Sequence, residues 1–171
     1  MNGLTKFPLV GDLMTRDVIT ARPDTPVLEI ARLLAEHRIG GVPVVDKSGR
    51  VVGMVTSSDL FLKEKPLPRT CRTFPALFET PILPSCIPEG YAMRGPACVA
   101  ADVMTRKIVC VTEGDSIGRA IQLMARFGIK RLPVLSAAPE AGGKLAGILT
   151  RTDIIKLLAA QAEALDVRAA V

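Results

Sequence analysis

Residues Gly53–Leu60 read GMVTSSDL, and 94 positions later residues Gly147–Ile154 read GILTRTDI. Each copy runs Gly, two apolar residues, Thr, two variable residues, Asp and a closing apolar residue. The apolar part suits the end of a buried strand, and Thr-x-x-Asp suits the cap of a following helix. A hydroxyl and a carboxylate then stand side by side at a helix N-terminus, a good place to hold a hydroxylated, anionic small molecule.

The rest of the chain repeats around these two stretches. Asp12-Leu-Met-Thr-Arg16 matches Asp102-Val-Met-Thr-Arg106 at an offset of 90. The offset holds without a gap through Val18-Ile19 and Ile108-Val109, and through Val27, Ile30, Ala31 and Leu34 against Ile117, Ala120, Ile121 and Met124. It holds again at Ile39, Val42, Pro43 and Val44 against Ile129, Leu132, Pro133 and Val134. It becomes 94 because the turn Ser136–Gly143 is four residues longer than Asp46–Gly49. A gapless match of this length is an internal duplication, and repeats of this size are architectural units.

Each copy has the same grammar. Val18–Ala21 and Ile108–Val111 are short strand candidates. Thr25 with Pro26 reads as an N-cap followed by Pro at the first helical position, and Asp115 takes the cap role in the second copy. The apolar positions that follow have the i, i+3, i+4, i+7 spacing of an amphipathic helix. Val42–Val45 and Val51–Thr56 flank a Lys-Ser-Gly turn and read as a hairpin, with a helix from Ser57. The expected fold class is therefore mixed α/β (α+β), with two β-α-β-β-α units. One unit of ~50 residues hardly buries its own helices, whereas two packed with pseudo-twofold symmetry do. The expected boundaries are 10–62 for the first copy, 63–98 for an inter-repeat segment, 99–160 for the second copy and 161–171 for a helical tail. Residues 61–100 hold seven of the thirteen Pro, together with Phe61, Phe74, Phe78 and Tyr91. That mixture predicts a segment that packs on the body or reaches a partner, with a short helix near Phe74–Phe78.

Bulk properties narrow the function. The hydrophobic fraction is 49% and the charged fraction 23%, which is globular composition. No apolar run reaches the ~18 residues of a membrane-spanning helix, and MNGLTKFPLV has no signal-peptide stretch, so a cytoplasmic location is expected. Cys71, Cys86, Cys98 and Cys110 show no C-x-x-C spacing, so free thiols and no metal site are expected. The single His, His37, sits near a helix end and reads as a capping or surface residue. The net charge of +5 comes from scattered basic residues without a long run. That suits anionic small molecules at least as well as nucleic acid. No nucleophile–base constellation and no Gly-rich phosphate loop is present, so no enzyme is expected.

The paired Met-Thr openings, the Pro-Val strands (Pro43-Val44, Pro133-Val134) and the closing Gly-apolar-x-Thr-x-x-Asp motifs resemble a tandem pair of CBS domains, named after cystathionine β-synthase. The resemblance implies two small three-stranded sheets flanked by helices, with a cleft on each side of a pseudo-twofold axis. It also implies adenosyl ligands (AMP, ADP, ATP or S-adenosylmethionine) and a homodimer. Asp59 and Asp153 match the family's ribose-binding Asp, and a carboxylate suits two vicinal hydroxyls. Thr56 and Thr150 match a position whose hydroxyl reaches phosphate or ribose, and both also suit an N-cap. Ser57, Ser58, Arg151 and Thr152 lie at the same helix start and are placed to contact phosphate. Thr20 matches a strand residue that touches base or sugar, and its counterpart Cys110 departs from the usual Thr or Ser. Val42 and Leu132 are expected to wall the adenine pocket beside Pro43 and Pro133. Lys130 and Arg131 stand where the first copy has Gly40 and Gly41, so the second copy should prefer polyphosphate.

The expected function is a regulatory, ligand-sensing module that requires no cofactor and passes an adenosyl signal to a regulated enzyme or transporter. Two other readings stay open: a nucleic-acid-binding protein using the basic surface, and a structural dimerisation piece of a larger transporter or enzyme.

Overall fold

A computed structural model describes residues 8–60, 98–136 and 143–169, the last seven of these as backbone only. The elements are α1 (Val10–Leu13), α2 (Val27–Glu36), β1 (Gly41–Val45), β2 (Val51–Thr56), α3 (Ser57–Leu60), α4 (Ala100–Val103), β3 (Val111–Thr112), α5 (Ile117–Phe127), β4 (Arg131–Leu135), β5 (Leu145–Thr150) and α6 (Arg151–Ala169). The inter-repeat segment, with its expected helix at Phe74–Phe78, lies outside the described residues.

The chain forms two compact units. The first is Ile19–Ile108, and the second joins Met1–Val18 to Val109–Val171. Each unit therefore takes its Met-Thr opening from the other copy in sequence. In the first unit, Cys98, Ala100 and Val103 share a core with Val27, Ile30, Leu34, Val42, Val44 and Val55. In the second, Val10 and Met14 share a core with Ile117, Ala120, Met124, Leu132, Val134 and Leu149. Burying each such side chain stabilises by roughly 1.5–3 kcal/mol, so about ten of them carry each unit.

Hydrogen bonds stitch the exchanged segments down in matching fashion. Met54 and Thr105 exchange backbone bonds of 3.0 and 2.9 Å, and Thr15 and Ile148 exchange two of 2.9 Å. The one-turn helices are held alike, with Asp12 Oδ2 accepting from the Leu9 N–H and Asp102 Oδ2 from the Val99 N–H. Arg16 and Arg106 each donate back to a carbonyl of their own turn, at Gly11 and Ala101. The duplication also shows in burial, since the buried, half-buried and exposed positions of 18–30 recur one for one in 108–120.

The hairpins form where the sequence places them. β1 pairs antiparallel with β2, and β4 with β5, each with an irregularity at the same place, Val44/Val45 and Val134/Leu135. The third strand falls later than expected. In the second unit it is Val111–Thr112, parallel to β4. In the first unit it shrinks to one bridge from Ala21 to Val44, so that sheet has two strands rather than three. The cause is local: Val18 donates to the Arg16 carbonyl and Ile108 to that of Arg106, both at short range, so the preceding residues turn instead of extending.

The helix starts also need correction. Thr25 does not cap α2, because its Oγ1 accepts from the Arg22 N–H, and extended Pro26 takes the N-cap position. Asp115 likewise closes back on the Thr112 N–H at 2.7 Å, and Ser116 caps α5 by accepting from the Arg119 N–H. The helix faces follow the expected spacing except at Ile121, which is 43% exposed. Leu60 is buried in its own unit, whereas Ile155 and Leu158 of α6 are exposed. His37 is the exposed C-cap residue of α2. Cys98 is disulfide-bonded, so the free-thiol expectation fails there, while Cys110 is free. Among the described residues, no helix is long and apolar enough to cross a membrane.

Candidate functional site

The two Thr-x-x-Asp stretches fold identically. β2 ends at Thr56 and α3 begins at Ser57; β5 ends at Thr150 and α6 begins at Arg151. The strand-to-helix switch leaves the first helical N–H groups without partners inside the helix. The motif braces this switch from within. Thr56 donates its N–H and its hydroxyl to Asp59 Oδ2, at 2.8 and 2.7 Å. Thr150 donates the same pair to Asp153 Oδ2, again at 2.8 and 2.7 Å. The Asp153 N–H reaches back to Thr150 Oγ1 at 3.4 Å, giving the reciprocal pattern of a capping box.

The boxes have a chemical consequence. Two bonds to a single oxygen fix the orientation of the carboxylate. At Asp153 both go to Oδ2, so Oδ1 keeps its capacity to accept. Both carboxylates are half-buried, where a fixed acceptor is worth more than in open water. The Thr hydroxyls, by contrast, spend their protons on Asp and have only lone pairs left to offer.

The hairpin brings the remaining candidates to each box. Gly41 is paired opposite Thr56, and Arg131 opposite Thr150. The Ser57 N–H donates to the Gly40 carbonyl at 3.2 Å, and the Arg151 N–H to the Lys130 carbonyl at 3.0 Å. Gly40-Gly41 and Lys130-Arg131 are thus tied to the start of the following helix. Ser58, Arg151 and Thr152 are exposed beside these ties.

Thr20 and Cys110 occupy matching half-buried positions, one residue before the contact of Ala21 with Val44 and of Val111 with Val134. Burial pushes the Cys110 thiol above its ordinary value, so it stays protonated and uncharged at neutral pH. Val42 and Leu132, expected to wall a pocket, are fully buried in the two cores, and Pro43 and Pro133 are fully buried too. Their side chains hold the strand in place. Sequence reasoning missed the backbone ties from Ser57 to Gly40 and from Arg151 to Lys130. No side-chain pattern announces a main-chain bond.

Comparison with known proteins identifies the family and the fold. The CBS domain family profile matches residues 10–64 and 99–160. An uncharacterized protein of Methanopyrus kandleri is 30% identical over 149 residues, covering 86% of this chain and 61% of its own length. The chloroplastic CBS domain-containing protein CBSX2 of Arabidopsis thaliana is 30% identical over 156 residues, covering 86% of this chain and 62% of its own. A crystal structure of CBSX2 in complex with AMP superposes with a TM-score of 0.63 at 28% identity, covering 91% of this chain and 98% of that one. Inosine-5'-monophosphate dehydrogenase of Aquifex aeolicus is 27% identical over 140 residues, covering 81% of this chain but only 22% of the enzyme. The chain spans less than two thirds of the length of each of these three proteins. With two matched segments that together make up well over half of its length, the chain belongs to the CBS domain family.

Proposed function

We propose that the chain is a regulatory module that binds an adenosyl compound at each Thr-x-x-Asp box and transmits its occupancy to a regulated protein. The observation that carries this reading is the duplicated Thr–Asp hydrogen-bond pair, which fixes a half-buried carboxylate at a helix start in both units. The AMP complex of the similar CBSX2 supports the ligand class. Binding acts by favouring one arrangement of the chain over another, to the extent that the ligand binds the two unequally. The proposal includes a homodimer, for which the exposed Ile155 and Leu158 supply apolar surface. A thermal-shift screen with AMP, ADP, ATP, S-adenosylmethionine and NAD tests it: at least one adenosyl compound raises the melting temperature, and inosine or free phosphate does not.

A second reading has one observation in its favour. The match to inosine-5'-monophosphate dehydrogenase covers a small part of that enzyme, so a chain of this kind also serves inside a larger one. In that reading the boxes are helix caps alone, and none of the adenosyl compounds shifts the melting temperature.

A further inference from the structure

The two boxes share a backbone and differ in charge. The positions around the first are Gly40, Gly41, Ser57 and Ser58; the matching positions around the second are Lys130, Arg131, Arg151 and Thr152. Strand pairing, the helix-start tie and the Thr–Asp bonds are the same in both units, so these residues occupy equivalent places. The bond from the Arg151 N–H to the Lys130 carbonyl, 3.0 Å long, sets two exposed cations on adjoining backbone beside Thr150. Arg131 is half-buried on the strand directly opposite Thr150. The second box is therefore flanked by three cations at positions where the first has none.

We infer that the second unit selects a phosphate-bearing adenosyl ligand and the first selects one without phosphate. The inference rests on the function proposed above and assigns a ligand class to each of its two sites. A phosphate carried to the first box meets Gly and Ser at the four matched positions, and none of these offsets the loss of its hydration with a charge. At the second box, guanidinium and ammonium groups form charge-assisted bonds with it. The same cations repel a positively charged sulfonium, which the first box tolerates. Specificity thus comes from repulsion as well as attraction.

Titration calorimetry on the full chain with ATP and adenosine tests this. The variants are Lys130→Gln with Arg151→Gln, and separately Ser57→Arg. All three substitutions are at exposed positions, so the fold is retained. In the Gln double variant, ATP affinity falls about tenfold or more relative to adenosine, and the salt dependence of ATP binding flattens. In Ser57→Arg, a second ATP-binding event appears or strengthens about tenfold. Equal ATP-to-adenosine ratios in wild type and both variants overturn the inference and leave the adenosyl reading standing. Failure of wild type to bind either compound overturns both.

Discussion

Met14 packs against Gly147 so closely that a Cβ on Gly147 would stand 2.9 Å from the Met14 Cγ and 2.9 Å from the Thr15 carbonyl oxygen. Met104 meets Gly53 in the same way, with its Cγ 2.8 Å from the corresponding point. The glycine that opens each Gly-x-x-Thr-x-x-Asp motif is therefore the floor on which the methionine of the other copy sits. Gly147→Ala should destabilise by about 1–3 kcal/mol, the usual range for overpacking a core. Gly53→Ala should cost less, because it meets only the flexible Met104 side chain, whereas Gly147→Ala also meets backbone. Urea denaturation of the two variants checks the order. Combining Gly147→Ala with Met14→Ala should cost less than the sum of the two, since they share one contact.

The helix ends offer a second test. Arg38 has φ 52°, in the left-handed region, one residue beyond the C-cap of α2. Its counterpart 90 positions on is Gly128, with φ 64°. The second copy has the residue that this conformation favours and the first does not. Arg38→Gly should stabilise by roughly 0.5–1 kcal/mol, and Gly128→Ala should destabilise by about 1 kcal/mol. Nothing lies within 4 Å of a Cβ on Gly128, so its loss would be purely conformational. A lower melting temperature for Arg38→Gly would contradict the assignment.

The β1–β2 turn is held by Asp46. Its Oδ1 accepts from the Ser48 hydroxyl at 2.7 Å, the Ser48 N–H at 2.8 Å and the Arg50 N–H at 2.9 Å. The Ser48 hydroxyl first, and the Arg50 N–H next, hold the carboxyl below its ordinary 3.8. A depressed folded value means that its contribution is present above pH 3.8 and is lost as pH falls through the folded value. The stability difference between wild type and Asp46→Ala should therefore narrow on acidification below that pH. Denaturation midpoints measured in a pH series give the result directly; a difference independent of pH would exclude the linkage.

Ligand linkage supplies the fourth test. An adenosyl compound at about 100 times its dissociation constant should stabilise the fold by roughly 2.7 kcal/mol. Asp153→Ala removes an acceptor at the second box and should weaken binding there about ten- to a hundredfold, while Asp59→Ala does so at the first. Each should also cost about 0.5–2 kcal/mol without ligand, because each carboxylate also caps a helix start. Calorimetry separates the two effects. Unchanged affinity in the double variant, with only the stability lost, would reduce both carboxylates to caps.

The sequence alone carried the duplication, the two hairpins, the apolar faces of α2 and α5 and the Thr-x-x-Asp boxes. Apart from the duplication, all of these are local: a period of 3.6, a turn residue, or a hydroxyl three positions before a carboxylate. It misplaced Thr25, Asp115 and the third strand, because a short polar side chain serves a turn as readily as a helix cap. Only packing around Ala21 and Val111 chose between them. It also could not show how deeply Val42 and Leu132 are buried, since an apolar residue on a strand reads the same at any depth. Above all, the tertiary structure decided which Met-Thr opening serves which hairpin. Met14 and Gly147 are 133 positions apart, and each opening matches both hairpins equally well in pattern. Periodicity describes how one segment meets itself; the pairing of distant segments is settled by the shape left over when the nearer contacts have formed.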